Sequence, residues 1–278
     1  MPDWQPLFWS AYDAVSTTVS NGFRSLALNT LRAGPVPRHI AFIMDGNRRF
    51  ARNSLNANVI EGHKSGASKL EQVLSWCLDL GVECVSVYAF SIDNFNRSKD
   101  EVDGLMNLAR HKLVDLATNS PTIKKHQARI RVIGNKDLLP TDLREAVEKT
   151  MQATAKHTGP VLNICFAYLG SEEIAHSIET SVNHALLQNS PAEITVEDIE
   201  RNLRMNQPAF EGGGDDDCVS IPLDLLVRTS GEIRLSDFMM WQASRGQPCH
   251  MAFVSKYWPE FSLYDLFSII ISYQLARR

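Results

Sequence analysis

Residues 39–49 read HIAFIMDGNRR, an unbroken apolar run that ends at Asp45 and is followed by a glycine and two arginines. The run has no polar alternation, which is typical of a strand buried on both faces of a parallel sheet. Ligands of parallel α/β sheets collect where the strands end, so the polar residues after the run are candidates for a binding site. This stretch therefore predicts a fold class and the position of a site together.

Similar β-rich runs recur along the chain with helical stretches between them. With the first, they cover residues 39–45, 84–90, 129–134, 161–168, 223–229 and 250–256. Residues 98–101 (SKDE) predict a capping box that opens a helix, and residues 140–142 and 170–172 predict two more helix starts. We therefore predict an α/β fold: a single domain with a central, mostly parallel six-stranded sheet flanked by helices.

Composition and charge exclude several classes of protein. The chain has 278 residues, of which 44% are hydrophobic and 22% charged, as in folded globular proteins. Its 28 Lys and Arg against 32 Asp and Glu give a formal charge of -4, so no global basic field attracts nucleic acid. Any site for an anion must therefore be local.

Cysteines and hydropathy bear on the cellular compartment. The 5 cysteines are odd in number and form no Cys-x-x-Cys pair, which favours a reducing, cytosol-facing location over a disulfide framework or a zinc site. No apolar run reaches the roughly 18 residues of a membrane span, and the first residues lack the basic segment of a secretory signal. We expect a chain that is neither secreted nor transmembrane.

Residues 1–33 are predicted to form an N-terminal amphipathic helix, separate from a domain at 34–278. Its apolar residues recur at spacings of three and four: Phe8, Tyr12, Val15, Val19, Phe23 and Leu26. The polar face has almost no Lys or Arg, so the helix either packs on its own domain or contacts lipid through Trp4, Phe8 and Trp9. The sequence GPVP at residues 34–37 ends it.

Polar clusters follow the first two strands. Residues 45–49 form either a phosphate cradle with a carboxylate at its edge or an ordinary turn. Ser91, Asn94 and Arg97 are spaced by three, so they either converge on a ligand or cap one another. His63 lies near a predicted helix start, where a lone histidine is more often structural than functional.

The strongest anion signal follows the fifth strand, because Arg228 and Arg234 emerge with Ser236 from an apolar run. Residues 215–217, three aspartates flanked by glycine, are predicted to be a solvated surface loop and not a magnesium site. Asp45 is the better magnesium candidate, since Mg²⁺ usually takes one or two carboxylates plus phosphate oxygens. The alternative for Asp45 is a simple turn residue.

Together, the motifs at residues 39–51, 61–63, 88–98, 228–238 and 258–260 closely resemble those of the cis-prenyltransferases. The Asn47-Arg48-Arg49 form is more similar to the eukaryotic dehydrodolichyl diphosphate synthases than to the bacterial undecaprenyl diphosphate synthases. The resemblance implies condensation of isopentenyl diphosphate onto farnesyl diphosphate with Mg²⁺, giving a long Z-polyprenyl (dehydrodolichyl) diphosphate, the precursor of dolichol for protein glycosylation.

The resemblance also implies roles for individual residues. Catalysis falls to Asp45, Asn47, Ser91 and Asn94, with Asp45 as the metal ligand. Substrate binding falls to Gly46, Arg48, Arg49, Phe50, His63, Phe95, Arg97, Arg228, Arg234 and Ser236. Phe90 and Phe95 would line an apolar tunnel for the growing chain, with core packing as the alternative, and His63 would join the arginines and Mg²⁺ in balancing the charge of two diphosphates.

The sequence departs from the bacterial pattern at two places. Val59 stands where bacterial members have an arginine, and no Arg-x-Gly occurs near the C-terminus. The second departure resembles catalytic subunits of eukaryotic two-component enzymes, which implies a Nogo-B-receptor-like partner and a heteromer on the cytosolic face of the endoplasmic reticulum membrane. The alternatives are a non-catalytic scaffold subunit and a Mg²⁺-dependent phosphohydrolase.

Overall fold

A computed structural model describes residues 22, 24–187, 193–207, 221–245 and 248–277. Within these ranges the strands are β1 His39–Ile43, β2 Cys84–Ser91, β3 Arg129–Ile133, β4 Val161–Tyr168, β5 Leu225–Arg228 and β6 His250–Phe253. They form one sheet in the order β3-β4-β2-β1-β5-β6, and each pairing is parallel. The predicted six-stranded fold is confirmed.

The strands have the burial that their apolar composition predicts. Every residue of β1, β4 and β5 is buried. Along β1, Ile40 and Phe42 pack into the larger hydrophobic core, while Ala41 and Ile43 pack into a second core on the opposite face. Successive side chains of a strand point to opposite faces, so an unbroken apolar run is needed to fill both layers.

Helices connect the strands. In chain order they are α1 at 24–32, α2 Asn47–Phe50, α3 Val59–Leu80, α4 Lys99–Asn119, α5 Pro121–His126, α6 Thr141–Thr154, α7 Gly170–Leu187, α8 Val196–Asn202, α9 Met240–Ser244 and α10 Leu263–Ala276. A π-helical turn at Ala51–Leu55 continues α2. No helix of the described ranges is long and apolar enough to cross a bilayer.

The predicted helix starts at residues 140–142 and 170–172 are confirmed, whereas the capping box at residues 98–101 is wrong. α4 begins as expected, but the Ser98 side chain caps no backbone group. Glu101 instead accepts a hydrogen bond from Arg97 at 2.9 Å. The ion pair competes for the carboxylate that a capping box would need.

Only the last turns of the predicted N-terminal helix lie within the described residues; residues 1–21 and Phe23 lie outside them, as do residues 215–217. Leu28 and Leu31 join the larger core, and Arg24 pairs with Asp79 of α3. Leu26, expected on the apolar face, is 66% exposed. The described part of the helix therefore packs on its own domain.

The strand order determines where on the sheet the polar clusters meet. The chain passes from β1 to β2 on one side and returns to β5 on the other side of β1. Open parallel sheets bind ligands where the order reverses, at the carboxyl ends of the strands. The three polar clusters follow β1, β2 and β5, so the topology brings them together.

Candidate functional site

A cavity of about 610 Å³ opens at the carboxyl ends of β1, β2 and β5. Most residues proposed from the sequence line it: Asp45, Gly46, Asn47, Arg48, Arg49, His63, Ser91, Asn94, Arg97, Arg228, Arg234 and Ser236. Its lining contains five of the arginines just named and a sixth, Arg52, which the sequence did not single out. The cavity is suited to anions.

Asp45 is fixed at the centre of this cavity by its main chain and its side chain. Its N–H donates to Thr229 Oγ1 at 3.0 Å, and its carbonyl accepts from Trp258 N at 3.0 Å. The carboxylate accepts from Arg228 Nη2 at 2.9 Å and from Gly46 N at 2.6 Å. A carboxylate that is held this way is aimed into the cavity, with its side chain still 31% exposed.

Arg228 links Asp45 to the loop after β5. Its side chain is only 4% exposed, and the Asp45 carboxylate offsets the cost of burying its charge. The other terminal nitrogen, Nη1, donates to the Arg234 carbonyl at 2.6 Å and to Ser236 Oγ at 2.8 Å. One buried guanidinium thus orders the first and third polar clusters together.

Gly46 and two glycines of α3 allow the cradle at residues 45–49 to form. Gly46 has φ +96°, and a Cβ there would lie 2.8 Å from the Tyr257 ring. A Cβ on Gly62 would lie 2.2 Å from the Asn47 carbonyl, and one on Gly66 would lie 2.4 Å from Asn47 Oδ1. The cradle helix α2 therefore packs on α3 at a distance that only glycine allows.

The side chains of the second cluster cap one another, which is one of the two interpretations left open, and their convergence on a ligand stays a prediction. Asn94 Oδ1 accepts from Ser91 N at 3.2 Å, and Ser91 Oγ accepts from Asp93 N at 3.1 Å. These side chains cap the short helix at Ile92–Asn96, and they also line the cavity. The caps fix the side chains in the position where a ligand would meet them.

Glu101, which the sequence analysis assigned to a helix cap, pairs with two arginines of the cavity lining. It lies 2.9 Å from Arg97 and 3.9 Å from Arg48. Burial and the nearby Arg48 charge lower the pKa of Arg97, and Glu101 opposes them. The spacing of four between Arg97 and Glu101 was the signal that could have identified this pair.

His63 lies in the cavity wall as predicted, but in this structure it is not one of the cations. Burial, followed by the charge of Arg97, lowers its pKa to about 4. Its Nε2 is buried and has no hydrogen-bond partner among the residues that the structure describes. Without a bound anion, His63 therefore lines the site as a neutral imidazole, and its part in balancing the charge of two diphosphates stays a prediction.

Two further residues at the cavity mouth were missed by the sequence analysis. Glu232 pairs with Arg49 at 3.5 Å and also with Arg234. The Tyr257 ring lies 5.7 Å from the Arg49 guanidinium carbon, a cation–π contact. The contacts of Arg49 with Glu232 and with Tyr257 join residues far apart in sequence, so no local pattern could reveal them.

A second, apolar cavity of about 150 Å³ adjoins the first between α3, α4 and the sheet. The two cavities share Met44, Asn47, His63, Ala89, Phe90 and Leu105. Deeper in the apolar cavity the lining includes Ala67, Leu70, Leu108, Leu113, Phe166 and Trp258. A chain of hydrocarbon can therefore extend from the arginine-rich cavity into an apolar one.

The structure does not bring every predicted residue to these cavities. Phe90 lines both, but neither Phe50 nor Phe95 is part of either lining. Phe95 packs edge-on against Phe90 with 4.9 Å between ring centroids, which is the core-packing alternative. Val59, the first residue of α3, also lies outside both linings.

Comparisons with known proteins agree with this geometry. The sequence profile of the family described as "Putative undecaprenyl diphosphate synthase" matches residues 43–278. A dehydrodolichyl diphosphate synthase complex subunit of Homo sapiens is 42% identical over 250 residues, 89% of this chain and 70% of the relative. A subunit of the same description from Schizosaccharomyces pombe is 41% identical over 254 residues, 91% of each chain.

A solved structure extends the likeness to the fold. Lavandulyl diphosphate synthase from Lavandula x intermedia, in complex with dimethylallyl diphosphate, superposes with a TM-score of 0.73 at 29% identity. The match covers 86% of this chain and 95% of that one. The chain therefore belongs to the undecaprenyl diphosphate synthase family, the cis-prenyltransferases that its motifs resemble.

Proposed function

We propose that the chain adds isopentenyl diphosphate units to farnesyl diphosphate and so makes a long Z-polyprenyl diphosphate of the dehydrodolichyl type. The observation that carries this proposal is one arginine-rich cavity that continues into an apolar one. Its relatives in Homo sapiens and Schizosaccharomyces pombe are named as subunits of dehydrodolichyl diphosphate synthase complexes. The product would be the precursor of dolichol, which protein glycosylation requires.

We assign the two substrates from the position of the apolar cavity, which supports the following arrangement. Asn47 and His63 line both cavities, and Arg48 and Arg97 line the first cavity with them. A diphosphate bound on this side could place its hydrocarbon tail in the apolar cavity, so this is the allylic site. Arg228, Arg234 and Ser236, on the other side of Asp45, would hold isopentenyl diphosphate.

The chain's own residues supply much of the electrostatic part of catalysis. Each diphosphate brings about three negative charges, by ordinary phosphate-ester reasoning. Arg48 and Arg97 would stabilise the departing pyrophosphate as the isopentenyl double bond attacks the allylic carbon. The new unit then gives up a proton, which the released pyrophosphate can accept, and Ser91 and Asn94 would flank the place where this occurs. The apolar lining beyond Phe90 keeps water from the reacting carbon.

The donor set fits a magnesium ion that is shared with substrate. In the described residues no group of three His, Cys, Asp or Glu side chains could form a protein-only metal site. Asp45 offers one accessible carboxylate in a cavity that would also contain phosphate oxygens, which matches the ligands Mg²⁺ prefers. When bound, the ion would neutralise part of the leaving group's charge.

The names of the relatives also support an assembly. Both are described as complex subunits. We therefore include in the proposal a Nogo-B-receptor-like partner that provides a membrane anchor, and a location on the cytosolic face of the endoplasmic reticulum.

A product assay tests the proposal. The chain, with and without a co-expressed partner, is incubated with labelled isopentenyl diphosphate, farnesyl diphosphate and Mg²⁺. We expect pyrophosphate release and lipids that grow by five-carbon steps, with long products requiring the partner. Release of inorganic phosphate without lipid growth would instead indicate a phosphohydrolase, and full-length products from the chain alone would reject the obligatory partner.

A further inference from the structure

The segment at residues 234–239, which carries Arg234 and Ser236 into the cavity, has an unusual backbone. Ser236, Asp237 and Met239 have φ of 50°, 58° and 47°. A left-handed conformation costs a residue with a side chain roughly 1–2 kcal/mol, so three in four positions require compensating contacts. These contacts decide how the segment presents Ser236 and Arg234.

Asp237 makes the contacts on one side, with the beginning of α7. Its carbonyl accepts from Gly170 N at 2.7 Å, and its Oδ1 accepts from Ser171 N at 2.8 Å. Ser171 Oγ donates to its other carboxylate oxygen. Asp237 thus caps the first turn of a helix to which it does not belong, and it satisfies N–H groups that have no partner within that helix.

The close approach at this contact leaves little room for a side chain on Gly170. A Cβ there would lie 3.1 Å from the Asp237 carbonyl and 3.2 Å from its Oδ1. The carboxylate also lies near the positive end of the α7 dipole, which favours its charge. The contact is therefore specific to an acceptor at position 237.

Tyr88 makes the contacts on the other side of the segment. Its hydroxyl lies 3.3 Å from the Ser236 carbonyl and 3.2 Å from the Tyr168 carbonyl. Its ring stacks on the buried Phe238 at 4.5 Å between centroids. With Tyr88 on one side and α7 on the other, the segment is fixed at Ser236, Asp237 and Phe238.

The fixed backbone of this segment also holds Arg228, and through it Asp45, in place in the cavity. The Arg234 carbonyl and Ser236 Oγ accept the two bonds from Arg228 Nη1, and Arg228 Nη2 reaches Asp45. Asp237 itself does not line the cavity. We propose that Asp237, by capping α7, is a positioning residue that holds Ser236 and Arg234 in place to bind isopentenyl diphosphate; the inference rests on the proposed function.

Steady-state kinetics of Asp237 variants test the inference. For Asp237→Ala we expect the KM for isopentenyl diphosphate to rise about tenfold, the size of one lost hydrogen bond to a charged group. The KM for farnesyl diphosphate should stay within about twofold, because Arg48 and Arg97 make no contact with this segment. Asp237→Asn should restore the KM, since Asn keeps an acceptor for Ser171 N and tolerates the left-handed conformation.

Two further variants separate positioning from general stability. Ser171→Ala removes the hydroxyl that donates to the Asp237 carboxylate. It should raise the KM for isopentenyl diphosphate by a smaller factor than Asp237→Ala does. It also provides the test if Asp237→Ala does not fold. Asp198→Ala removes the bonds that the Asp198 carboxylate accepts from Thr195 N and Oγ1 in the capping box of α8, and it should lower stability without changing either KM.

An unchanged KM for isopentenyl diphosphate in folded, active Asp237→Ala would overturn the inference. An equal rise in both KM values, or a fall in kcat alone, would also overturn it, because it would indicate a structural role. If the unsubstituted chain with its partner transfers no isopentenyl unit, the proposed function itself fails and the inference with it.

Discussion

The ion pair between Asp45 and Arg228 organises the site, because each residue fixes a different polar cluster. The Asp45 carboxylate is the one we assign to Mg²⁺, and Arg228 is buried beside it. We predict that Asp45→Ala lowers turnover at least about a hundredfold, the typical cost of losing one electrostatic stabiliser. The measurement is initial-rate prenyl transfer by the purified variant.

Asp45→Asn is the matched variant, because its amide oxygen can still accept from Arg228. It should lose turnover nearly as severely but unfold at a higher urea concentration than Asp45→Ala, because it loses the charge of the carboxylate but keeps a hydrogen-bond acceptor for the buried guanidinium. Asp45→Ala should also unfold earlier, since it leaves the buried guanidinium without its partner. Near-normal turnover in either folded variant would refute the role of Asp45.

His39 predicts how stability depends on pH. It is fully buried between Ser86 and the Ile221 carbonyl, and burial lowers its pKa to about 4. In the unfolded chain a histidine has a pKa near 6.5, so between pH 6.5 and 4 the unfolded state binds more protons. Stability should therefore fall as the pH drops through this window, by roughly 3 kcal/mol from this residue.

Urea unfolding at several pH values between 7 and 4 measures this effect. His63, whose pKa is also lowered to about 4, acts in the same direction. His39→Gln should be less stable at pH 7 but should show a shallower loss of unfolding free energy on acidification. Parallel curves for the variant and the unsubstituted chain would contradict the assignment.

Among the helices, the contact of α2 with α3 predicts an unusual response to a glycine substitution. Gly to Ala inside a helix normally stabilises a protein by up to about 1 kcal/mol. Gly62→Ala should instead destabilise it by about 1–3 kcal/mol and raise the KM for farnesyl diphosphate, because the new methyl group would meet the Asn47 carbonyl. Thermal unfolding and kinetics measure the two effects.

Gly104→Ala is the matched control for this prediction. A Cβ at Gly104, in α4, would meet only the end of the Ile60 side chain, 2.7 Å from Cδ1 and 3.4 Å from Cγ1, and this side chain can move. It should leave both the KM and the stability unchanged or slightly improved. Equal stability and equal KM values for Gly62→Ala and Gly104→Ala would mean that the close approach of α2 to α3 affects neither stability nor farnesyl diphosphate binding.

The wall formed by α3 and α4 predicts the length of the product. Ala67 of α3 lines the apolar cavity, so Ala67→Phe should obstruct the growing chain and shorten the products while the first addition continues. Val114→Phe, on the outer surface of α4, is the control and should leave product length unchanged. Chromatography of the extracted lipids measures product length. Full-length products from Ala67→Phe would exclude this cavity as the path of the growing polyprenyl chain.

At this scale the sequence predicted most elements correctly. Six β-rich runs became six strands, and β1, β4 and β5 are buried throughout, as their apolar composition predicts, whereas the edge strand β6 is partly exposed. The capping box at residues 98–101 failed since Glu101 pairs with Arg97 and Arg48 instead. The prediction that Leu26 lies on the buried face of α1 was wrong, because the packing of α1 on α3 and α10 decides which face is buried. The helical period alone does not specify that packing.

For the whole molecule, motifs and topology together predicted the site. Residues after β1, β2 and β5 line one cavity, as the rule for parallel sheets requires. The neutral state of His63 and the core position of Phe95 depend on burial, which no motif encodes. The contacts of Glu232 and Asp237 likewise join segments that only the folded chain brings together.

The central claim is that two diphosphates bind on either side of Asp45, with a hydrocarbon tail in the apolar cavity. The most direct test is a crystal structure with a non-cleavable farnesyl diphosphate analogue, isopentenyl diphosphate and Mg²⁺. We predict one diphosphate at Arg48 and Arg97, the other at Arg228, Arg234 and Ser236, and the farnesyl tail between α3 and α4. A tail outside that cavity, or diphosphates bound elsewhere on the surface, would contradict the claim.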